Sequence, residues 1–238
     1  MNYAIILASG TGSRMGNVDK PKQFIDVYGK PVIIYTLEAF ANHPEIDQII
    51  IVTLEEWIED VKILVRKYEI DKVTTIIAGG SSRQASVYEA IKHLAFSVNS
   101  SSEDIVVVHD AVRPLVNHRI ITDNIAAAKQ YSAVDTVIPS ADTIVKSLSK
   151  EMITEIPKRD YYYLGQTPQS FKFGLIEEAH KYAFNNPDIV TTDDCKLVLA
   201  LEYPVHLVMG DKLNFKVTTF EDLLLFKAIL KLGKIEVI

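Results

Sequence analysis

An apolar run, Tyr3-Ala4-Ile5-Ile6-Leu7, gives way at once to Ala8-Ser9-Gly10-Thr11-Gly12-Ser13-Arg14-Met15, and Lys20-Pro21-Lys22-Gln23 follows closely. A buried strand that opens into small residues lets backbone N–H groups approach an anion, and neighbouring cations neutralise it. This is chemistry for a polyphosphate. The spacing matches neither common nucleotide fingerprint. A Walker A loop needs G-x-x-x-x-G-K-[ST], and a dinucleotide loop needs a third glycine where this chain has Met15.

Three more polar clusters follow β-branched runs: Gly79-Gly80-Ser81-Ser82-Arg83-Gln84-Ala85-Ser86, His109-Asp110-Ala111-Val112-Arg113-Pro114 and Asp142-Thr143. Ligands of an open parallel sheet gather beyond the carboxyl ends of its strands, so four clusters at such ends predict one site. Asp110 suits a hard cation bridging phosphates, because magnesium takes one or two carboxylates and fills its shell with phosphate oxygens and water. A helix cap is the competing reading for Asp110. Arg113 either clamps a phosphate or pairs with a carboxylate. His109, at a strand end, reads as a hydrogen-bonded structural histidine rather than a catalytic one.

Farther along, Lys158-Arg159 precede Tyr161-Tyr162-Tyr163, and Gly165-Gln166-Thr167-Pro168-Gln169 reads as a proline-fixed loop offering hydroxyl and amide groups to a polar substrate. Thr192-Asp193-Asp194 fits a helix N-terminus with an aspartate cap. Cys195 reads as a small buried apolar residue. Lys216, in the strand-like run Asn214-Phe215-Lys216-Val217-Thr218, requires an anionic partner.

The elements that must position these residues alternate. Strands are expected at residues 3–7, 48–53, 73–78, 105–108 and 136–138. Between them Trp57, Val61, Leu64, Val65 and Tyr68 share one helical face, as do Val87, Ala90, Ile91 and Leu94. Pro31 suits the first turn of a helix reaching about Asn42, and Ile120, Ile121, Asn124 and Ala128 mark another. Strands that are apolar throughout and separated by helices imply an α/β fold: a Rossmann-like, mostly parallel sheet with helices on both faces. After residue 139 the alternation breaks. Residues 142–147 and 152–156 read as a β-hairpin whose Ile144, Val145, Ile153 and Ile156 lack a sheet to cover, so a protruding dimerisation arm at 140–160 is expected. Helix returns near 173–184, strand near 205–208 and helix near 220–232. The whole of 1–238 reads as one domain carrying that arm.

The 238 residues are 48% hydrophobic, ample for a buried core. A net charge of −6 and a pI near 5.5 argue against a broad nucleic-acid-binding face, yet leave room for a local cationic site. No apolar stretch approaches the roughly 20 residues that span a bilayer, and no signal peptide is visible. The single cysteine, Cys195, rules out an internal disulfide framework. A cytoplasmic protein without membrane partners is expected.

With these residues assembled, the chain resembles the cytidylyltransferases that make CDP-linked polyol phosphates from CTP. The likeness spans residues 7–224 through Gly10-x-Gly12-x-Arg14-Met15, Pro21-Lys22-Gln23, Gly79-Gly80-x-x-Arg83, His109-Asp110-Ala111-Val112-Arg113-Pro114, Asp142-Thr143, Thr167-Pro168-Gln169 and Lys216-Val217-Thr218. The resemblance implies catalytic roles for Arg14, Lys22 and Lys216. It implies nucleotide contacts at Ala8, Ser9, Gly10, Thr11, Gly12, Gly80, Arg83, Ser86, Asp110 and Ala111, with Mg2+ at Asp110. Acceptor contacts fall to Arg113, Thr143, Arg159, Thr167 and Thr192, with Lys216 beside them. It also implies a homodimer through the arm, with Arg159 offered to its own or the other subunit's site. Ala133-Val134-Asp135-Thr136-Val137-Ile138, the run from Gly165 to Phe171, and Asp194-Cys195-Lys196 resemble the ribitol 5-phosphate branch, which serves teichoic-acid and related polymers. Arg83-Gln84-Ala85-Ser86-Val87 and Asp193-Asp194 lean toward the 2-C-methyl-D-erythritol 4-phosphate branch of isoprenoid synthesis. Ser9, where either branch usually has Ala or Gly, and the non-acidic Ser81-Ser82 depart from both patterns. A sugar nucleotidyltransferase using another nucleotide and a non-catalytic nucleotide-binding regulator remain open alternatives.

Overall fold

Apolar sequence runs become buried strands. The computed structural model describes residues 1–10 and 20–233. Strand β1 is Asn2–Ala8, followed after a 3-10 turn at Lys22–Phe24 by two short strands, β2 (Asp26–Val27) and β3 (Lys30–Pro31). Helix α1 (Val32–Ala41), β4 (Gln48–Thr53), α2 (Ile58–Lys67), β5 (Val73–Ala78) and α3 (Arg83–His93) come next. Then follow β6 (Ile105–Asp110), α4 (His118–Tyr131), β7 (Ala133–Pro139) and β8 (Tyr163–Lys172). The order closes with α5 (Phe173–Asn185), α6 (Asp194–Ala200), β9 (His206–Met209) and α7 (Phe220–Lys231).

The main sheet has seven strands in the order β5-β4-β1-β6-β8-β7-β9, and only β8 runs against its neighbours. Strands β1, β4 and β6 are covered on both faces, which is why they read as unbroken apolar runs. One face packs Ile34, Leu37 and Phe40 of α1, Val61 of α2 and Ile120 and Ile125 of α4. The other packs Val87 and Ile91 of α3, Ile176 and Ala179 of α5 and Val198 of α6. A smaller cluster docks α7 through Phe226 against Tyr35, Val112 and Val217. Thr219 and Asp222 form a capping box at the start of α7. The expected α/β architecture is the observed one. Trp57, expected in the core, is half-buried at its edge and stacks on Phe24 with ring centroids 4.6 Å apart.

Three expectations are corrected. Residues 165–169 are not a loop: they lie inside β8, between β6 and β7. Glycine, proline and amide side chains carry a turn signal, but here each buried polar group finds a partner in the neighbouring elements. Thr136 Oγ1 donates to the Pro168 carbonyl at 2.6 Å, and Asn124 Nδ2 donates to Thr136 Oγ1 at 2.8 Å. Ser170 Oγ in turn donates to Asn124 Oδ1 at 3.1 Å. Pro168, which has no N–H to give the ladder, falls where the β7–β8 register shifts between Asp135 and Val137. Second, residues 142–156 do not form two strands. A lone bridge joins Lys146 and Glu155, with Val145, Ile153 and Ile156 largely exposed, since no third strand or sheet supports the pair. Third, Lys216 sits on an irregular segment rather than in a strand. Among the described residues, no helix is long and apolar enough to cross a membrane.

Asn124 joins α4 to both β7 and β8 from a fully buried position. Asn124→Ala therefore leaves the Ser170 hydroxyl without its acceptor, and a loss of about 2 kcal/mol is expected in urea unfolding.

Candidate active site

The chain passes from β1 to β4 and β5 on one side and only later places β6 on the other side of β1. The crevice beyond the carboxyl ends of β1 and β6 is thus the switch point where ligands of such sheets bind. Leu7 and Asp110 are paired across this boundary, and the Ala111 N–H donates to the Leu7 carbonyl at 3.0 Å.

Small residues and one buried amide shape the β1 side. Gln23 Nε2 donates to the Ala8 carbonyl at 2.6 Å and the Gly10 carbonyl at 3.2 Å, which fixes the strand exit and places the half-buried Lys22 beside it. Ser9 Oγ lies 3.0 Å from Ser86 Oγ, and Ser86 Oγ donates to the Ser82 carbonyl at 2.8 Å. The glycines permit this approach: a Cβ on Gly79 would stand 2.7 Å from Ser86 Oγ, and one on Gly80 would stand 2.5 Å from the Ala85 Cβ. Ala8, Ser9, Gly10, Gly80 and Ser86 are therefore brought together. Thr11, Gly12 and Arg14 lie outside the described residues.

At the end of β6, Asp110 Oδ2 lies 3.0 Å from Lys216 Nζ and 3.2 Å from Arg113 Nε. Burial penalises this carboxylate's charge, but Lys216 and then Arg113 outweigh the penalty and hold it well below the usual carboxylate range. Arg113 Nη1 also donates to the Asn214 carbonyl at 2.9 Å, and the Val217 N–H donates to the Val112 carbonyl at 2.8 Å. Lys216 thus has the anionic partner that its apolar setting demanded. Arg113 makes the carboxylate pair, one of its two readings; Asp110 caps no helix, since Asn117 caps α4.

His109 is fully buried, with Nε2 3.2 Å from the Arg113 carbonyl and Nδ1 3.0 Å from Thr167 Oγ1. A carbonyl can only accept, so Nε2 carries the proton and Nδ1 accepts from Thr167. Burial pushes its pKa down to about 4. The histidine is a neutral brace, as its position in the sequence implied. Thr167 Oγ1 also accepts the Asp110 N–H at 3.1 Å, so its hydroxyl fastens β8 to the site end of β6.

Arg83 faces a buried carboxylate, Asp194, with Nη1 2.6 Å from Oδ2. Asp193 caps α6, its Oδ1 accepting from the Cys195 N–H at 2.8 Å. Thr192 is exposed in the turn before that cap. Thr143 and Arg159 stand exposed on the 140–160 arm, where Arg159 Nη1 donates to the Ala141 carbonyl at 2.9 Å. Asp135, Gln169 and Asn214, given no individual role in the sequence, carry site structure too. Gln169 Nε2 donates to Asp135 Oδ1 and Asp193 Oδ2, each at 3.0 Å, and Asn214 Nδ2 donates to the Thr167 carbonyl at 2.8 Å. Asn214 was legible only as the neighbour of Lys216, and Gln169 only as part of a polar run.

Lysine and arginine side chains gathered beside one carboxylate are suited to stabilising charge on a transferring phosphoryl group. Lys216→Met is expected to lower kcat by on the order of 10²–10³, the scale of losing one preorganised donor. Lys22→Ala should abolish measurable turnover, while His109→Gln keeps kcat within about tenfold because His109 only braces the strand. The imidazole also sets an acid limit. Unfolded it takes a proton near pH 6.5, folded only near 4, so stability is full above about 6.5 and falls as the pH drops toward 4. The loss is on the order of 3 kcal/mol, and His109→Gln should flatten this limb of the stability–pH curve in denaturant titrations.

The comparisons with known proteins agree with this geometry. Residues 2–232 match the family model described as IspD, 2-C-methyl-D-erythritol 4-phosphate cytidylyltransferase. Among similar solved structures, 4-diphosphocytidyl-2C-methyl-D-erythritol synthase from Anaerococcus prevotii is 30% identical with a TM-score of 0.82, covering 97% of this chain and 98% of that one. The 2-C-methyl-D-erythritol 4-phosphate cytidylyltransferase of Thermus thermophilus is 29% identical with a TM-score of 0.75, over 95% of this chain and 98% of its own. Its counterpart from Francisella tularensis is 28% identical with a TM-score of 0.79, over the same shares. A match across nearly the whole chain, on a sheet whose switch point carries Asp110 and Lys216, places this protein in the IspD family of cytidylyltransferases, nucleotidyltransferases that use CTP.

Proposed function

We propose that the chain transfers CMP from CTP to ribitol 5-phosphate, giving CDP-ribitol and pyrophosphate for teichoic-acid or related cell-surface polymers. An oxygen of the acceptor's phosphate attacks the α-phosphorus of CTP, and the bond to the β-phosphate oxygen breaks as pyrophosphate leaves. The attacking phosphate is already ionised near neutral pH, so no strong base is needed. The difficulty is to bring two anions together, and Arg14, Lys22 and Lys216 are assigned that work through positioning and charge. Ala8, Ser9, Gly10, Thr11, Gly12, Gly80, Ser86 and Ala111 frame the nucleotide, with Arg83 behind them. Arg113, Thr143, Arg159 and Thr192 serve the acceptor, and Thr167 serves it through the brace it makes with His109 and Asp110.

Magnesium fits the donor set as a substrate-shared ion. Among the described residues no group of three or more His, Cys, Asp or Glu gathers, so a protein cage is not available, whereas Asp110 supplies one hard oxygen ligand. Asp110 would hold the ion together with phosphate oxygens and water, and the ion supplies further charge neutralisation on the triphosphate.

One observation carries the choice of acceptor. Val108, Gln169 and Asp135 stand in one row across β6, β8 and β7, and Asp110 lies two residues beyond Val108 on the same face. The half-buried Asp135 carboxylate therefore shares the sheet face that carries Asp110, held there by the buried Gln169 amide. Burial, opposed by the Gln169 hydrogen bond and aided by Asp193, pushes the Asp135 pKa up to about 6. A half-buried carboxylate in this row supports an unbranched polyol over one that carries a methyl group beside a hydroxyl. The second reading, 2-C-methyl-D-erythritol 4-phosphate, is favoured by the family description and by the names of the similar structures.

The arm is proposed as a homodimer contact. Leu148, Met152, Ile153, Ile156 and Tyr161 are each at least 60% exposed, an apolar surface that a second copy would cover.

Pyrophosphate release with CTP and magnesium should proceed faster with ribitol 5-phosphate than with methylerythritol 4-phosphate; the reverse ranking would select the second reading. Asp135→Ile should raise the KM for ribitol 5-phosphate about tenfold and leave that for CTP unchanged. Sedimentation equilibrium should give a dimer that Ile153→Asp with Ile156→Asp converts to monomer.

A further inference from the structure

The turn at residues 189–194 is closed by Thr191, whose Oγ1 donates to the Asp193 carbonyl at 3.1 Å and accepts the Asp193 N–H at 3.0 Å. Within it and just before it, the Ile189 N–H reaches the Asn186 carbonyl at 2.9 Å and the Val190 N–H reaches the Asp188 carbonyl at 3.1 Å. What ties this closed turn to the rest of the molecule comes from elsewhere. Gln84 Oε1 accepts the Thr191 N–H at 3.1 Å, and Gln84 Nε2 donates to the Ile189 carbonyl at 3.3 Å. Its neighbour Arg83 binds Asp194 at the far end of the turn at 2.6 Å. On the sheet side, Gln169 Nε2 donates to Asp193 Oδ2 at 3.0 Å. Arg83 and Gln84 are the first two residues of α3, and the Ser82 side chain caps that helix by accepting the Ala85 N–H. The two residues thus follow directly on the Gly79-Gly80-Ser81-Ser82 loop, whose backbone is locked against Ser9 and Ser86.

We propose that Gln84 is a positioning residue for the acceptor: it fixes the turn carrying Thr192 to the helix start that closes the nucleotide loop, so that CTP binding orders the acceptor side. The proposal rests on the reading of Thr192 as an acceptor contact. A glutamine is suited to this position because one planar amide supplies an acceptor for an N–H and a donor for a carbonyl two residues apart. A glutamate could take the Thr191 N–H but has no proton for Ile189, and a methionine of similar length could do neither. Ordering that turn once, when the nucleotide loop is filled, removes part of the entropy cost from acceptor binding. By linkage, acceptor binding must tighten CTP by the same factor.

The test is amide hydrogen exchange across residues 187–195 with and without CTP and magnesium, together with steady-state kinetics on the full chain. CTP should slow exchange in the wild type by about tenfold, and Gln84→Met should abolish that protection. The same variant should raise the acceptor KM about tenfold, with kcat and the CTP Kd measured without acceptor held within about threefold. Gln84→Glu, which keeps half of the contact and guards against a folding defect, should fall between. Three results would overturn the proposal: wild-type exchange indifferent to CTP, Gln84→Met protected as well as the wild type, or an acceptor KM that does not move or moves together with the CTP Kd measured without acceptor. Turnover with neither polyol phosphate would instead sink the acceptor assignment, and the exchange measurement would still decide the coupling.

Discussion

The site hangs on one buried carboxylate. Asp110 is almost wholly removed from water at the end of β6, and a charge so placed is costly unless opposite charges meet it. Lys216 and Arg113 both close on its Oδ2. Those two cations come from different parts of the chain, so satisfying the carboxylate also fixes the fold around it: Arg113 turns back onto Asn214, and Val217 is bonded to Val112. Lys216 keeps about a third of its side chain exposed, so it is held at the crevice instead of being spent in the interior. A preorganised cation of this kind needs no rearrangement when charge develops on a bound phosphate.

A second set of buried polar groups lets an unusual strand take its place. Between β6 and β7, Thr167 serves His109 and the Asp110 N–H, Gln169 serves Asp135 and Asp193, and Ser170 serves Asn124. Each buried group has a partner, so their polarity costs little and their geometry becomes rigid. The strand therefore works as a cross-brace that joins the nucleotide end of the sheet to the α6 side. His109 belongs to this brace, and its neutrality follows from burial between a carbonyl and a hydroxyl.

Much of this was legible along the chain. The bounds of β4 and β5 matched the runs that suggested them, and β4, covered on both faces, is apolar through its centre for that reason. Lys216 announced a partner because a lysine among Phe215, Val217 and Asn214 cannot stand alone. The central strand β8 was not legible: a run with Gly165, Pro168 and two glutamines carries the composition of a loop, and only neighbours far away in the chain supply the hydrogen bonds that make it a strand. The arm failed in the opposite sense, since alternating apolar residues were present but no adjoining sheet was there to pair them.

The sequence by itself determined the local chemistry: which stretches are buried, where small residues cluster, and which cations stand near them. Those properties reside in composition and short-range periodicity. Only the tertiary structure decided which groups meet. Arg83 turned to Asp194, Gln84 to the 189–194 turn, and Gln169 to Asp135, each across distances along the chain that no local pattern encodes. Pairing of buried polar groups is a condition on three-dimensional neighbours, and the chain states it only as a demand for a partner, leaving the fold to choose which one.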